Sequence, residues 1–200
     1  MNLPNKLTTV RIAIIPFFLI VMLGKWPAGY HYLLGLILFA AAALTDRLDG
    51  KIARARNQIT VFGKFMDPLA DKLLVVSALI CLLADGAADP WAVILIVARE
   101  FMVTGLRLVA VEKGRVIAAN RWGKTKTVSQ VAAVILVLAF QFVQELADAG
   151  RVAPFTVWGM PSADAFALLG GALIWISVFF TIVSGGIYIL QNIDVLKDVK

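Results

Sequence analysis

Residues 165–190 read AFALLGGALIWISVFFTIVSGGIYIL, without one charged side chain. A helix of about 20 apolar residues crosses the hydrocarbon core of a bilayer, because it satisfies its own backbone hydrogen bonds where no water can. This stretch is long enough, so it reads as a transmembrane helix and sets the frame for the rest of the chain.

Five further apolar stretches, 8–23, 30–53, 65–84, 90–111 and 125–146, precede it at short intervals. Of the 200 residues 60% are hydrophobic and only 16% charged, and the mean hydropathy of +0.86 lies far above that of soluble domains. No linker, repeat or low-complexity run divides the chain. The expectation is an all-α membrane protein, a six-transmembrane-helix bundle forming one domain over 1–200. The first stretch carries Arg11 and no small-residue cleavage site follows it, so it is expected to remain as the first span. The lone Cys81 lies in an apolar run, reads as a small buried hydrophobe and excludes a disulfide framework.

Lys and Arg set the orientation. Lys6, Lys51, Arg54, Arg56, Lys64, Lys113, Arg115, Arg121, Lys124, Lys126, Lys197 and Lys200 fall on one side of the six stretches, and only Lys25 and Arg151 on the other, beside Asp85, Asp89, Asp148 and Asp164. The positive-inside rule puts both termini in the cytoplasm. The net charge of +6 is spread over membrane-proximal loops, which argues for anionic lipids and phosphorylated substrates as partners and against nucleic acid.

Residues 46–72, DRLDGKIARARNQITVFGKFMDPLADK, carry the chemistry. Asp46 and Asp49 are three apart, Asp67 and Asp71 four apart, so each pair shares a helix face. Four carboxylates at a membrane helix end repel one another and resist desolvation unless cations sit among them. Hard oxygen donors suit Mg²⁺ or Mn²⁺, as one ion or a pair. Gly50 and Ala53 allow a ligand close approach at the same helix end, and Arg54 offers a forked donor for phosphate oxygens. Gly63, four before Asp67, leaves space beside the carboxylate stripe.

The pattern D-x2-D-G-x2-A-R-x8-G-x3-D-x3-D resembles the signature of the CDP-alcohol phosphatidyltransferases at every fixed position. The resemblance implies six membrane helices, a homodimer, and two metal ions held by Asp46, Asp49, Asp67 and Asp71, with Asp71 also the general base. It implies that the CDP part of CDP-diacylglycerol is bound through Gly50, Arg54 and Thr60, joined by the N-terminal segment from Pro4 to Thr8. Within that segment Asn5 and Thr8 can also cap a short interfacial helix and offer polar groups to a headgroup.

Beyond the signature, Arg99-Glu100-Phe101, Gly105-Leu106-Arg107 and Gly123-Lys124-Thr125-Lys126-Thr127 are similar to the branch of that family whose acceptor is sn-glycerol 3-phosphate. Such a chain would serve phospholipid biosynthesis, with its site facing the cytoplasm of a bacterial inner membrane. Arg107, Arg121, Lys124 and Lys126 exceed what anchoring requires, and a phosphate would neutralise several of them; Arg107 and Lys126 are the preferred contacts. Arg99 and Glu100 can equally pair with buried groups to fix the bundle. Gly123-Lys124-Thr125 is no nucleotide loop, since Ala118 stands where the upstream glycine belongs. His31, Trp91, Trp122 and Trp158 read as interfacial aromatics, and Gly170, Gly171, Gly185 and Gly186 as close helix packing.

Two other readings remain open from the residues alone. The same chemistry could serve serine, an inositol phosphate or phosphatidylglycerol as acceptor. A cation transporter with an intramembrane carboxylate path is the other, though it explains neither Gly50 and Arg54 nor the clustering at one face.

Overall fold

The structure, a computed structural model, describes residues 3–55, 61–114 and 121–193, and the side chains of these except 3–7, 46–55, 61–68 and 71. Among the described residues six α-helices form: α1 Leu3–Gly24, α2 His31–Ala55, α3 Val61–Ala84, α4 Pro90–Glu112, α5 Arg121–Asp148 and α6 Ser162–Gln191. Each grows around one of the six apolar stretches.

The short interfacial helix expected at the N terminus is not a separate element, because α1 is continuous from Leu3 through Pro16 to Gly24. Pro4 falls in the first turn, where no intrahelical N–H bond is required, and nothing between it and Thr8 stops propagation. At α4 the local logic is explicit: Pro90 opens the helix, and the Asp89 carboxylate accepts from the amides of Trp91 at 2.8 Å and Ala92 at 3.2 Å.

Between α5 and α6 lies a two-stranded hairpin for which the sequence analysis had no element. Strands β1 Thr156–Val157 and β2 Met160–Pro161 pair antiparallel, Val157 opposite Met160. The turn uses φ of 54° at Trp158 and 77° at Gly159, the pair of positive values that a tight two-residue turn demands. Two-residue strands show no alternation, and Trp-Gly is not among the strong turn signals.

The main core joins α1, α2, α3, α4, α5 and α6 through Phe18, Phe39, Leu79, Leu82, Ile96, Leu138 and Ile174. A smaller cluster of Val103, Leu106, Ala110 and Tyr188 closes α4 on α6. Polarity is inverted relative to a water-soluble fold: Arg11 is 0% exposed and Lys126 5%, while Phe101 is 73% and Leu190 72% exposed. Water would reverse that arrangement, at a cost of about 25 cal/mol for each Å² of exposed apolar surface; hydrocarbon favours it. This is a membrane protein.

Two helices, α5 and α6, are long and apolar enough by themselves to cross a bilayer. In α1, α2 and α3 the apolar part is shorter, Thr8–Gly24, His31–Thr45 and Lys72–Ala84, and α4 is interrupted by Arg99, Glu100 and Arg107. The remainder of each of these helices carries polar residues, and all of that polarity belongs to one end of the bundle.

Contacts at the opposite end establish this. Lys25, after α1, lies 3.5 Å from Asp85, after α3. Arg151, after α5, donates to the Gly29 carbonyl at 3.0 Å and covers the Tyr30 ring. Glu145 accepts from the amides of His31 and Tyr32, each at 3.4 Å, and approaches His31 Nδ1 to 2.6 Å. The carboxylate thus caps α2 and complements its dipole. The α1–α2, α3–α4 and α5–α6 connections therefore share one end. His31 is corrected accordingly: it is a buried partner of Glu145, whereas Trp91, Trp122 and Trp158 are exposed as interfacial aromatics would be.

Candidate functional site

With those connections at one end, the other end gathers the start of α1, the end of α2, the start of α3, the end of α4, the start of α5 and the end of α6. Asp46, Asp49, Gly50 and Arg54 lie on the last turns of α2, and Gly63, Asp67 and Asp71 on the first turns of α3. Both carboxylate pairs thus come from successive antiparallel helices at the same end. Their side chains lie outside the described ones, as does that of Asn5, and Thr60 lies outside the described residues altogether. Among the described residues no group of three or more metal-ligating side chains occurs. The donor set itself, four carboxylates with no thiol or imidazole, suits a hard divalent cation.

Lys72, next in sequence to Asp71, opens onto a cavity of ≈ 580 Å³. Every helix contributes to its wall: Arg11 from α1, Ala43 from α2, Lys72 from α3, Arg99, Glu100 and Arg107 from α4, Lys124 and Lys126 from α5, and Tyr188 from α6. The cationic side chains are held in defined places. Arg107 Nε donates to the Tyr188 hydroxyl at 2.8 Å. Arg99 Nη2 donates to Ser184 Oγ at 3.0 Å, and its Nη1 lies 3.4 Å from Glu100 Oε1. Lys126 Nζ pairs with the same Glu100 oxygen, and Lys72 Nζ bonds Thr104 Oγ1. Thr104 in turn donates to the Glu100 carbonyl at 2.7 Å.

Arg11 and Lys126 are buried, Arg99 and Lys72 partly so, and Arg107 and Lys124 are exposed; the buried ones are costly in a low-dielectric bundle unless paired or reserved for an anionic ligand. Among the described lining residues, Arg11, Lys72, Arg99, Arg107, Lys124 and Lys126 stand with one carboxylate, Glu100, a predominantly cationic set that can take a multiply charged anion.

Of the residues expected to meet an acceptor phosphate, Arg107, Lys124 and Lys126 line the cavity, and Arg121 is exposed and does not. Arg121 opens α5 one turn too early for its side chain to reach the wall. Thr8 is buried in α1, one turn before Arg11. Arg11, Lys72 and Tyr188 were not expected; the usable signal for the first two was a charge adjoining or inside an apolar stretch, whereas Tyr188 gave none.

The four α6 glycines divide. A Cβ on Gly185 would come within 3.0 Å of Arg99 Cγ, and one on Gly170 within 3.3 Å of Val137 Cγ2, whereas Gly171 and Gly186 face open space. Gly185 thus makes room for the stem of a cavity arginine, and only Gly170 and Gly185 serve close packing.

Residues 1–183 match the family described as CDP-alcohol phosphatidyltransferase. The CDP-diacylglycerol–glycerol-3-phosphate 3-phosphatidyltransferase of Bacillus subtilis is 45% identical over 98% of this chain and 97% of its own. The protein of the same description from Rickettsia bellii is 38% identical over 94% and 93%. A probable phosphatidylglycerophosphate synthase of Mycobacterium tuberculosis is 42% identical over 66% and 64%. A membrane bundle with both aspartate pairs at its cationic end, matched by this family over most of its length, belongs to the CDP-alcohol phosphatidyltransferases.

Proposed function

We propose that this protein is an enzyme of phospholipid biosynthesis that transfers the phosphatidyl group of CDP-diacylglycerol to sn-glycerol 3-phosphate, giving phosphatidylglycerophosphate and CMP. The observation that carries this reading is the cationic cavity beside the helix ends that bear the signature: it supplies a place for a phosphorylated acceptor next to the residues assigned to the CDP-lipid. Full-length identity to the Bacillus subtilis and Rickettsia bellii proteins of that description supports the choice of acceptor.

The family is divalent-metal dependent in general. Asp46, Asp49, Asp67 and Asp71 would hold the ions, two of Mg²⁺ or Mn²⁺, and when bound these supply Lewis-acid neutralisation of the diphosphate charge. Gly50, Gly63, Arg54, Thr60, Asn5 and Thr8 are assigned to the CDP-lipid. Arg107, Lys124 and Lys126 are assigned to the acceptor phosphate, with Arg121 as an outer cation that raises the local concentration of anions.

Asp71 takes the proton of the acceptor hydroxyl. The hydroxyl oxygen then attacks the lipid-side phosphorus in line, the bond from that phosphorus to the CMP oxygen breaks, and CMP leaves. No Ser, Cys or His stands in the signature to form a covalent intermediate, so the configuration at phosphorus should invert. The assembly proposed is one domain of six transmembrane helices, both termini and the site on the cytoplasmic side of a bacterial inner membrane by the Lys and Arg bias, and, by the resemblance, a homodimer.

The test is CMP release by purified protein with CDP-diacylglycerol and Mg²⁺ across a panel of acceptors. Turnover should be at least about 100-fold faster with sn-glycerol 3-phosphate than with serine, inositol phosphate or phosphatidylglycerol, a margin of about 2.7 kcal/mol. Preference for another acceptor would replace the substrate, and no CMP release with any would remove the activity.

A further inference from the structure

Glu100 is the lone carboxylate among the described residues lining a strongly cationic cavity. It sits within α4, mostly buried, and its Oε1 takes both Lys126 Nζ and Arg99 Nη1. Oε2 has no partner among the described residues. Thr104 donates to the Glu100 carbonyl while holding Lys72, so this turn of α4 is fixed from α3 as well as from α5.

A wall of cations without a carboxylate would hold inorganic phosphate about as well as any phosphate monoester, because charge alone does not distinguish them. A carboxylate that already neutralises two of those cations lowers the gain for every phosphate equally. It returns something only to a ligand that also carries a hydroxyl, which can donate to the open oxygen; sites built to hydrogen-bond a hydroxyl reject analogues lacking it far more strongly than apolar pockets do.

We infer that Glu100 is a specificity-determining residue of the acceptor site: it holds Lys126 and Arg99 against bare phosphate, and its Oε2 accepts a hydroxyl of a phosphorylated polyol. The inference rests on the acceptor being a phosphorylated alcohol, as proposed above. The competing account is that Glu100 only ties α4 to α5 through Lys126.

Glu100→Gln keeps shape and an acceptor atom while removing the charge. In full-length protein in detergent, inorganic phosphate should bind the variant about tenfold more tightly than wild type, equal to about 1.4 kcal/mol, with the KM for CDP-diacylglycerol unchanged. Unchanged or weaker phosphate binding would overturn the inference. Wild-type protein gives a second readout needing no variant. n-Propyl phosphate, which matches the acceptor in length and lacks its hydroxyls, should bind at least about tenfold more weakly than sn-glycerol 3-phosphate, and equal binding would overturn the hydroxyl contact. Both are binding measurements without turnover, so an enzyme that released no CMP with glycerol phosphate would defeat the proposed function while these titrations still judged Glu100.

Discussion

Asp71 and Arg107 stand for two different kinds of functional residue. If Asp71 is the base, Asp71→Asn should lower turnover by about 100-fold or more while metal-dependent binding of CDP-diacylglycerol stays measurable by titration. Wild-type turnover in that variant would take the base role from Asp71. Arg107 is fixed by the Tyr188 hydroxyl at 2.8 Å and lines the cavity. Losing one charge-assisted hydrogen bond costs about 1.5–3 kcal/mol. Steady-state kinetics of Arg107→Ala should therefore show a KM for glycerol phosphate raised about tenfold or more, with that for the CDP-lipid little changed. Equal effects on both would reduce Arg107 to a structural tie.

Spacing put Asp67 and Asp71 on one helix face, and the base role proposed for Asp71 comes from the family resemblance. Arg107 and Lys126 were legible as surplus charge in an apolar stretch. The partnership of Lys126 with Glu100 was not, since it joins residues on different helices and depends on how α4 meets α5. Tyr188 was illegible for the same reason: on α6 it is one more aromatic until α4 brings Arg107 against it.

Among elements, α6 makes the distinction clearest. Hydropathy predicts the helix and nothing more, and its paired glycines look alike in sequence. Packed against α4, Gly185 meets Arg99 and Gly186 meets nothing within 4 Å. Gly185→Val should displace the Arg99 stem and raise the KM for glycerol phosphate several-fold, whereas Gly186→Val should leave kinetics and thermal stability within error; a valine is disfavoured in a helix by only tenths of a kcal/mol. Identical behaviour of the two variants would contradict the packing of α4 on α6. The N terminus shows the opposite outcome: a sequence capable of capping at Asn5 or Thr8 instead continues into α1, because cap-forming residues only permit a helix start and do not impose one where the chain on both sides is helical.

Across the whole molecule, three connections meet at one end through Lys25 with Asp85, Arg151 with Gly29 and Glu145 with His31, and the cationic cavity occupies the other. With the cavity end cytoplasmic, single cysteines placed at Arg151 and at Lys113 in a Cys81→Ser background should differ in intact cells: an impermeant thiol reagent should label position 151 and spare 113 until the membrane is opened. The reverse pattern would invert the topology.

The sequence by itself determined that the chain is helical and bilayer-borne, how many helices it has, which end of them is basic and where the signature carboxylates stand, because hydropathy period, charge bias and short-range spacing are properties of one segment at a time. Tertiary structure decided that Arg11, Lys72, Arg99, Arg107, Lys124 and Lys126 share one cavity, that Glu100 stands among them, and that Glu145 caps α2 from α5. Each of these requires groups far apart in the chain to be brought together by packing, and no local pattern encodes which helix faces which.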